Sequence, residues 1–171
     1  MDWWKREHVR VFTDASGEDR CIAAVIVVGG VWKYTWMKVP DRIWESLLPR
    51  QDNQIGVTEA MAVALALETF KPELEGNLVS CFVDNQGTMH GFIKGRSQST
   101  EQNLIISEAW MEMARQRISI TFWRVASKCN CSDGPSRLDF ALMKKKGAHL
   151  VQPVLPQYLY QLWEVSTTPK L

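Results

Sequence analysis

The stretch HVRVFTDASGEDRCIAAVIVVGGVWKYTWMKV, residues 8–39, reads as three β-strands in succession. Residues 8–14 alternate and are rich in β-branched and aromatic side chains, and the turn signal Ser16-Gly17-Glu18-Asp19 follows, so a strand ends at Asp14. CIAAVIVV from Cys21 and VWKYTWMKV from Val31 are two further strands. Gly29-Gly30 joins them, a dipeptide suited to the positive φ angles of a tight hairpin. The chain therefore opens as a three-stranded meander with an acid at the end of its first strand.

Working outward, RIWESLL after Pro40 forms a short helix and RQDNQ, residues 50–54, a polar loop. VTEAMAVALALETF, residues 57–70, is the clearest helix: Ala and Leu dominate, Thr58 can cap and Pro72 closes the segment. Apolar residues cover most of its circumference, which places it against the sheet with Glu59 in its first turn. LVSCFVD, residues 78–84, is a fourth strand ending at Asp84. Asn85 starts a helix in which Gly87, Gly91 and Gly95 recur every four residues, a stripe that lets a neighbouring element come close. Glu101 to Arg117 is amphipathic, with Leu104, Ile105, Ala109, Trp110 and Met113 on or near one face, and ISITFWRVA, residues 118–126, is the fifth strand. The loop SKCNCSDGPSR leads from Ser127 into a last helix over LDFALMKKK, with Asp133 just before or at its start. The tail from Gly147 holds Pro153, Pro156 and Pro169 around the apolar LYQLW. Residues 1–147 thus form the body and 148–171 an arm that docks or a junction to another segment.

Composition narrows the function classes. The 171 residues, 46% apolar with eight Trp and six Phe, suit one domain with a substantial core. Twenty basic and 19 acidic residues nearly cancel, so a nucleic-acid partner needs a local basic patch and not overall charge. The longest strongly apolar stretch, from Cys21 to Trp32, is broken by Gly29 and Gly30 and falls short of the roughly 20 residues that span a bilayer. MDWWKREH is not a secretory signal, which leads us to expect an intracellular protein with no membrane partner. Reduced thiols are then the default for Cys21, Cys81, Cys129 and Cys131, and the Cys129-Asn-Cys131 pair lacks the second pair that a zinc site needs.

Four carboxylates, Asp14, Glu59, Asp84 and Asp133, stand at strand ends or in helices, where folding can gather them. Gathered like charges repel: two unit charges about 4 Å apart cost roughly 4 kcal/mol at an effective dielectric of ~20 unless cations neutralise them. A divalent metal site is the sharp hypothesis. Singly, each acid has an ordinary alternative: Asp14 as a turn residue, Asp84 and Asp133 as helix caps, Glu59 as a partner of the helix dipole.

The order β-β-β-α-β-α-α-β-α over residues 8–146, with these acids in these places, resembles the ribonuclease H fold: α/β, a five-stranded mixed sheet flanked by helices. More narrowly, VFTDAS, QIGVTEAMAVALAL, FVDNQGTMHGFIKG and NCSDGPSR resemble the ribonuclease H domain of reverse-transcribing retroelements, where similar TDAS, helix-Glu, VDN and Asn-x-x-Asp-x-x-Ser-Arg patterns recur in this order. The resemblance implies that Asp14, Glu59, Asp84 and Asp133 are catalytic and hold two Mg²⁺ ions, with Mn²⁺ able to substitute. It places Asp14 between both ions, Asp133 with the ion on the side of the attacking water, and Glu59 and Asp84 with the other. Cellular members carry a His in the loop before the last acid; residues 127–132 here are SKCNCS, and none of His8, His90 or His149 falls there. Retroelement-type members often lack it too, so the departure implies slower turnover and not inactivity.

The implied substrate is an RNA–DNA hybrid, whose RNA strand is recognised through its 2′-hydroxyls in a wide, shallow minor groove. Ser16 and Gly17 after the first acid, and Asn85 and Gln86 after the third, are candidates for sugar and phosphate contacts; each is equally an ordinary turn or cap residue. Lys94 with Arg96, Arg124 with Lys128, Arg137, and Lys144-Lys145-Lys146 are candidates for a phosphate track, although a lysine run at a helix C-terminus also suits the dipole. A reverse transcriptase or other polyprotein segment is an implied partner. Other readings stay open: a non-catalytic ribonuclease H-like module that binds nucleic acid or serves packing, or a DNA nuclease or resolvase of the same fold. The Asp-x-Glu of related exonucleases is absent, since residues 14–16 are Asp-Ala-Ser. No GxSxG, GxGxxG or P-loop supports a serine hydrolase or a nucleotide cofactor.

Overall fold

The opening meander is present in the computed structural model, which describes residues 7–47 and 55–161. The expected polar loop 50–54, Leu48 of the expected first helix, and the tail from Leu162 with Pro169 lie outside the described residues. β1 (His8–Ser16), β2 (Cys21–Val28) and β3 (Val31–Lys38) pair antiparallel in sequence, with Gly29 at φ 55° and Gly30 at φ 79° making the tight connection. After α1 (Asp41–Ser46), α2 (Ile55–Thr69) and α3 (Lys71–Leu74), the chain re-enters the sheet as β4 (Leu78–Val83), parallel to β1. α4 (Gln86–Lys94) and α5 (Thr100–Arg115) then cross to β5 (Ser119–Arg124), parallel to β4.

The sheet holds six strands where the sequence reading expects five. Its order is β5-β4-β1-β2-β3-β6, and the extra member is β6 (His149–Leu150), two residues parallel to β3. So short a strand carries no periodicity to read. Residues 151–161 continue across the body: the Val154 amide donates to the Thr69 hydroxyl at 3.0 Å, and Leu159 in α8 (Tyr158–Gln161) is fully buried in the main core.

β2 is buried at every position except its last, so both its faces are covered. α2 packs on β1 and β2, and α6 (Asp133–Ser136) on β1, β2 and β3. α2 is apolar almost all round and buried at twelve of its 15 residues, as a central helix must be. It is already helical at Ile55, so Thr58 does not cap it; the Thr58 hydroxyl donates back to the Ile55 carbonyl at 3.0 Å, and Glu59 falls just beyond the first turn.

The expected loop SKCNCSDGPSR holds a short helix of its own, and the expected last helix over residues 138–146 begins only at Ala141. α6 ends at Ser136 and α7 (Ala141–Lys145) starts anew, because Leu138 takes φ 60°, the Asp139 amide turns back to the Gly134 carbonyl at 2.9 Å, and the Asp139 carboxylate accepts the Ala141 N–H at 3.0 Å. The glycine stripe of α4 divides. A Cβ at Gly91 would lie 2.9 Å from Ile106 Cδ1, so only there does a helix come close, whereas Gly95 at φ 71° ends the helix.

Candidate active site

β1 and β4 are parallel neighbours with Phe12 opposite Phe82, so the same register carried two residues on brings Asp14 beside Asp84 at one end of the sheet. Glu59 reaches them from α2. Ligand oxygens of Asp14, Glu59 and Asp84 all lie within 4.8 Å of one another. Three acids far apart in sequence thus meet where two strands end over a buried helix.

Each is held by a neighbour. The Ser136 hydroxyl donates to Asp14 Oδ2 at 2.7 Å, the Ala15 amide to Glu59 Oε1 at 3.3 Å, and the Ser127 hydroxyl to Asp84 Oδ2 at 2.8 Å. Asp14 is 3% exposed and Glu59 2%. Burial pushes the Asp14 carboxyl up to about 6, against the pull of the Ser136 hydrogen bond and helped by the charges of Asp84 and Asp133. Burial, then the charges of Asp14 and Asp84, raises Glu59 well above the usual carboxylate range. Glu59 Oε2 is buried with no hydrogen-bond partner among the described residues.

This donor set fits hard divalent cations. It offers only carboxylate oxygens, no cation of the chain pairs with Asp14, Glu59 or Asp84 among the described residues, and one buried oxygen lacks a partner. Protonation or a bound cation are the two ways to relieve such a cluster.

Asp133 stands apart from that trio. It opens α6, close enough to raise the Asp14 carboxyl, and its Oδ1 accepts Arg137 Nε at 3.2 Å. Arg137 is therefore ion-paired beside the site. Of the other candidates, Ser16 exchanges hydrogen bonds with Asp19 and holds the turn containing Gly17. Asn85 caps α4, its Oδ1 accepting the Thr88 amide at 2.8 Å, and Gln86 reaches His90 at 3.4 Å. Lys94 and Arg96 are exposed and line an open cavity of about 740 Å³ that starts beside Asp84, at Asn85 and Gly87, and reaches Gln102. Lys128 is exposed in the single helical turn 127–129, next to the Ser127 that holds Asp84. The lysine run lies elsewhere: Lys144 and Lys145 end α7, and Lys146 sits over the Trp32 ring at 5.1 Å.

Three residues of the site carried no role in the sequence reading: Ser127, Ser136 and Asn130. Asn130 is buried, donates to the Thr13 carbonyl at 3.0 Å and accepts from both the amide and hydroxyl of Ser132, which staples the 130–132 loop to β1 one residue before Asp14. The regular spacing Asn130, Asp133, Ser136 was the available signal. All four cysteines are free, with Cys129 exposed and Cys131 half-buried.

No family model matches the sequence, and none of the curated proteins does. Solved structures do match. RNase H1 from the halophilic archaeon Halobacterium salinarum is similar at a TM-score of 0.54 and 12% identity, over 81% of this chain and 98% of that one. The N-terminal RNase H domain of a Mycobacterium tuberculosis protein, solved as a fusion with maltose binding protein, is similar at 0.51 and 15% identity, over 82% and 96%. LC9-RNase H1, described as a type 1 RNase H with the type 2 active-site motif, is similar at 0.51 and 14%, over 95% and 83%. At these identities the likeness is one of fold: the chain has a ribonuclease H-like fold, with six strands in its mixed sheet.

Proposed function

We propose that the protein is a metal-dependent endonuclease that hydrolyses the RNA strand of an RNA–DNA hybrid. The observation that carries this reading is the meeting of Asp14, Glu59 and Asp84, from β1, α2 and the end of β4, with no counter-charge among the described residues, on a ribonuclease H-like fold. Asp14, Glu59 and Asp84 would hold Mg²⁺ or Mn²⁺, with Asp133 an added ligand once free of Arg137. Bound there, the metal would lower the pKa of a water and neutralise charge on the scissile phosphate and the leaving 3′ oxygen.

The chain's own contribution is placement. Ser136 and Ser127 orient one oxygen each of Asp14 and Asp84 and leave the second for a ligand; the Ala15 amide does the same for Glu59. Arg137, freed from Asp133, is placed to meet substrate phosphate. Lys94, Arg96 and Lys128 extend that positive track, and the cavity at the N-terminal ends of α4 and α5 admits a backbone phosphate. In this reading Ser16, Gly17, Asn85 and Gln86 contact the hybrid through backbone groups or their free side-chain atoms, since Ser16 and Asn85 already serve the turn and the cap.

A labelled RNA–DNA hybrid incubated with and without Mg²⁺ or Mn²⁺, beside duplex DNA and duplex RNA, tests the proposal. Metal-dependent cutting of the RNA strand of the hybrid alone is expected. No cutting would leave a non-catalytic module, and cutting of duplex DNA would favour a resolvase-type nuclease. The motif wording TDAS, VDNQ and NCSDGPSR supports placement in a retroelement polyprotein with a reverse transcriptase partner. A polymerase domain in the same reading frame is the observation that tests this.

A further inference from the structure

We infer that the open face of β1, β4 and β5 is a stacking platform for a single-stranded nucleic-acid segment running out of the candidate active site. Register builds the platform. Phe12 faces Phe82 across β1 and β4, and Phe82 faces Trp123 across β4 and β5, so three aromatic residues form one row across three strands. Phe12 and Phe82 stack with ring centroids 4.8 Å apart at 15°. Trp123 alternates with the buried Phe122, is 52% exposed, and makes no ring contact among the described residues. A half-exposed indole at the end of such a row offers a flat face on which another ring can stack.

The chemistry around the row suits a nucleic acid. The next row on the same face is Arg10, Ser80 and Thr121; Arg10 is exposed and has no acidic partner among the described residues. Beyond it His8, Leu78 and Ser119 line a shallow hollow of about 340 Å³, where His8 Nε2 lies 2.9 Å from the Ser80 hydroxyl. None of these nine positions is acidic. One cation, several small hydroxyls and an aromatic row match a sugar–phosphate strand whose bases stack, and every base has a face to stack. In the other direction, two residues along each strand from Phe12 and Phe82 come Asp14 and Asp84, about 7 Å away at a strand's rise per residue. A strand on this face therefore leads to the carboxylates. The inference deepens the ribonuclease reading and rests on it for the substrate: a hybrid with a single-stranded RNA extension.

The test is fluorescence anisotropy on the full chain in EDTA, with a labelled unstructured 12-nucleotide RNA and, separately, a blunt RNA–DNA hybrid. Trp123→Ala and Arg10→Ala are expected to weaken binding of the single strand roughly fivefold or more, while Trp123→Phe keeps most of it. Met111→Ala, a change at a residue equally exposed on α5, and binding of the blunt hybrid should stay within about twofold of the parent. Equal single-strand affinity in Trp123→Ala and the parent, or none in the parent, overturns the platform. A concentration-dependent dimer that Trp123→Ala abolishes, seen by sedimentation, also overturns it by giving the face to a second copy. Because binding is read without metal and blunt-hybrid cutting is read with it, either can fail alone.

Discussion

Asp14 is buried beside Glu59 and Asp84, with the Ser136 hydroxyl to hold it. The roles of its neighbours separate by substitution. Asp84→Asn keeps shape and deletes a ligand charge; we expect hybrid cutting to fall to background with an unchanged circular dichroism spectrum. An active variant would show that the metal ligands lie elsewhere. Ser136→Ala removes the donor that orients Asp14 without touching the cluster, and should lower activity or metal affinity roughly 10- to 100-fold, read as a rightward shift of the Mg²⁺ dependence. The places of Asp14, Glu59 and Asp84 in the chain marked three acids that folding brings together, because residue type and element order are local properties, whereas Asp133 stands apart on Arg137. Ser127 and Ser136 were not legible, because a hydroxyl becomes a carboxylate's partner only through the 43 and 122 residues of chain that separate each pair.

Among the elements, α6 shows most plainly how local geometry serves the site. It has only four residues, yet it supplies Asp133 and Ser136, and Gly134 sits so close to the Asp139 carbonyl that a Cβ there would lie 2.7 Å from a backbone oxygen. Backbone cannot yield as a side chain can. Gly134→Ala should therefore cost about 1–3 kcal/mol, measured by urea unfolding, and reduce activity more than stability alone explains, because Ser136 moves with the turn. The long helices were readable because their apolar spacing is repeated over many residues; Asn85 caps α4 as a helix-starting residue does, whereas the Ser99 cap of α5 went unread. The break between α6 and α7 was not readable. LDFALMKKK has ordinary helix formers throughout, and what delays it is the return of the Asp139 amide to Gly134.

At the scale of the whole molecule, the gathered acids set a pH dependence. Asp14 and Glu59 bind protons more tightly folded than unfolded, so the metal-free protein loses stability as pH rises from about 4 through the folded value of about 6 for Asp14. Asp14→Asn should remove part of that loss. In EDTA we expect it to unfold at a higher temperature than the parent at pH 7.5, by an amount equivalent to about 1–2 kcal/mol, with the gap closing at pH 4.5. Mg²⁺ should stabilise the parent and not the variant; a gap independent of pH would mean the acids are not strained together. The sequence by itself determined the meander, the two long helices and a ribonuclease H-like order, because alternation, helical spacing and glycine turns act over a few residues; the first strand runs two residues past the expected end at Asp14, to Ser16. Only the tertiary structure decided that β6 and residues 151–161 pack onto the body, that Asp133 is paired with Arg137 while the other three acids meet, and that Phe12, Phe82 and Trp123 form one row. Those are outcomes of strand register and long-range packing, in which each residue's neighbours come from distant parts of the chain.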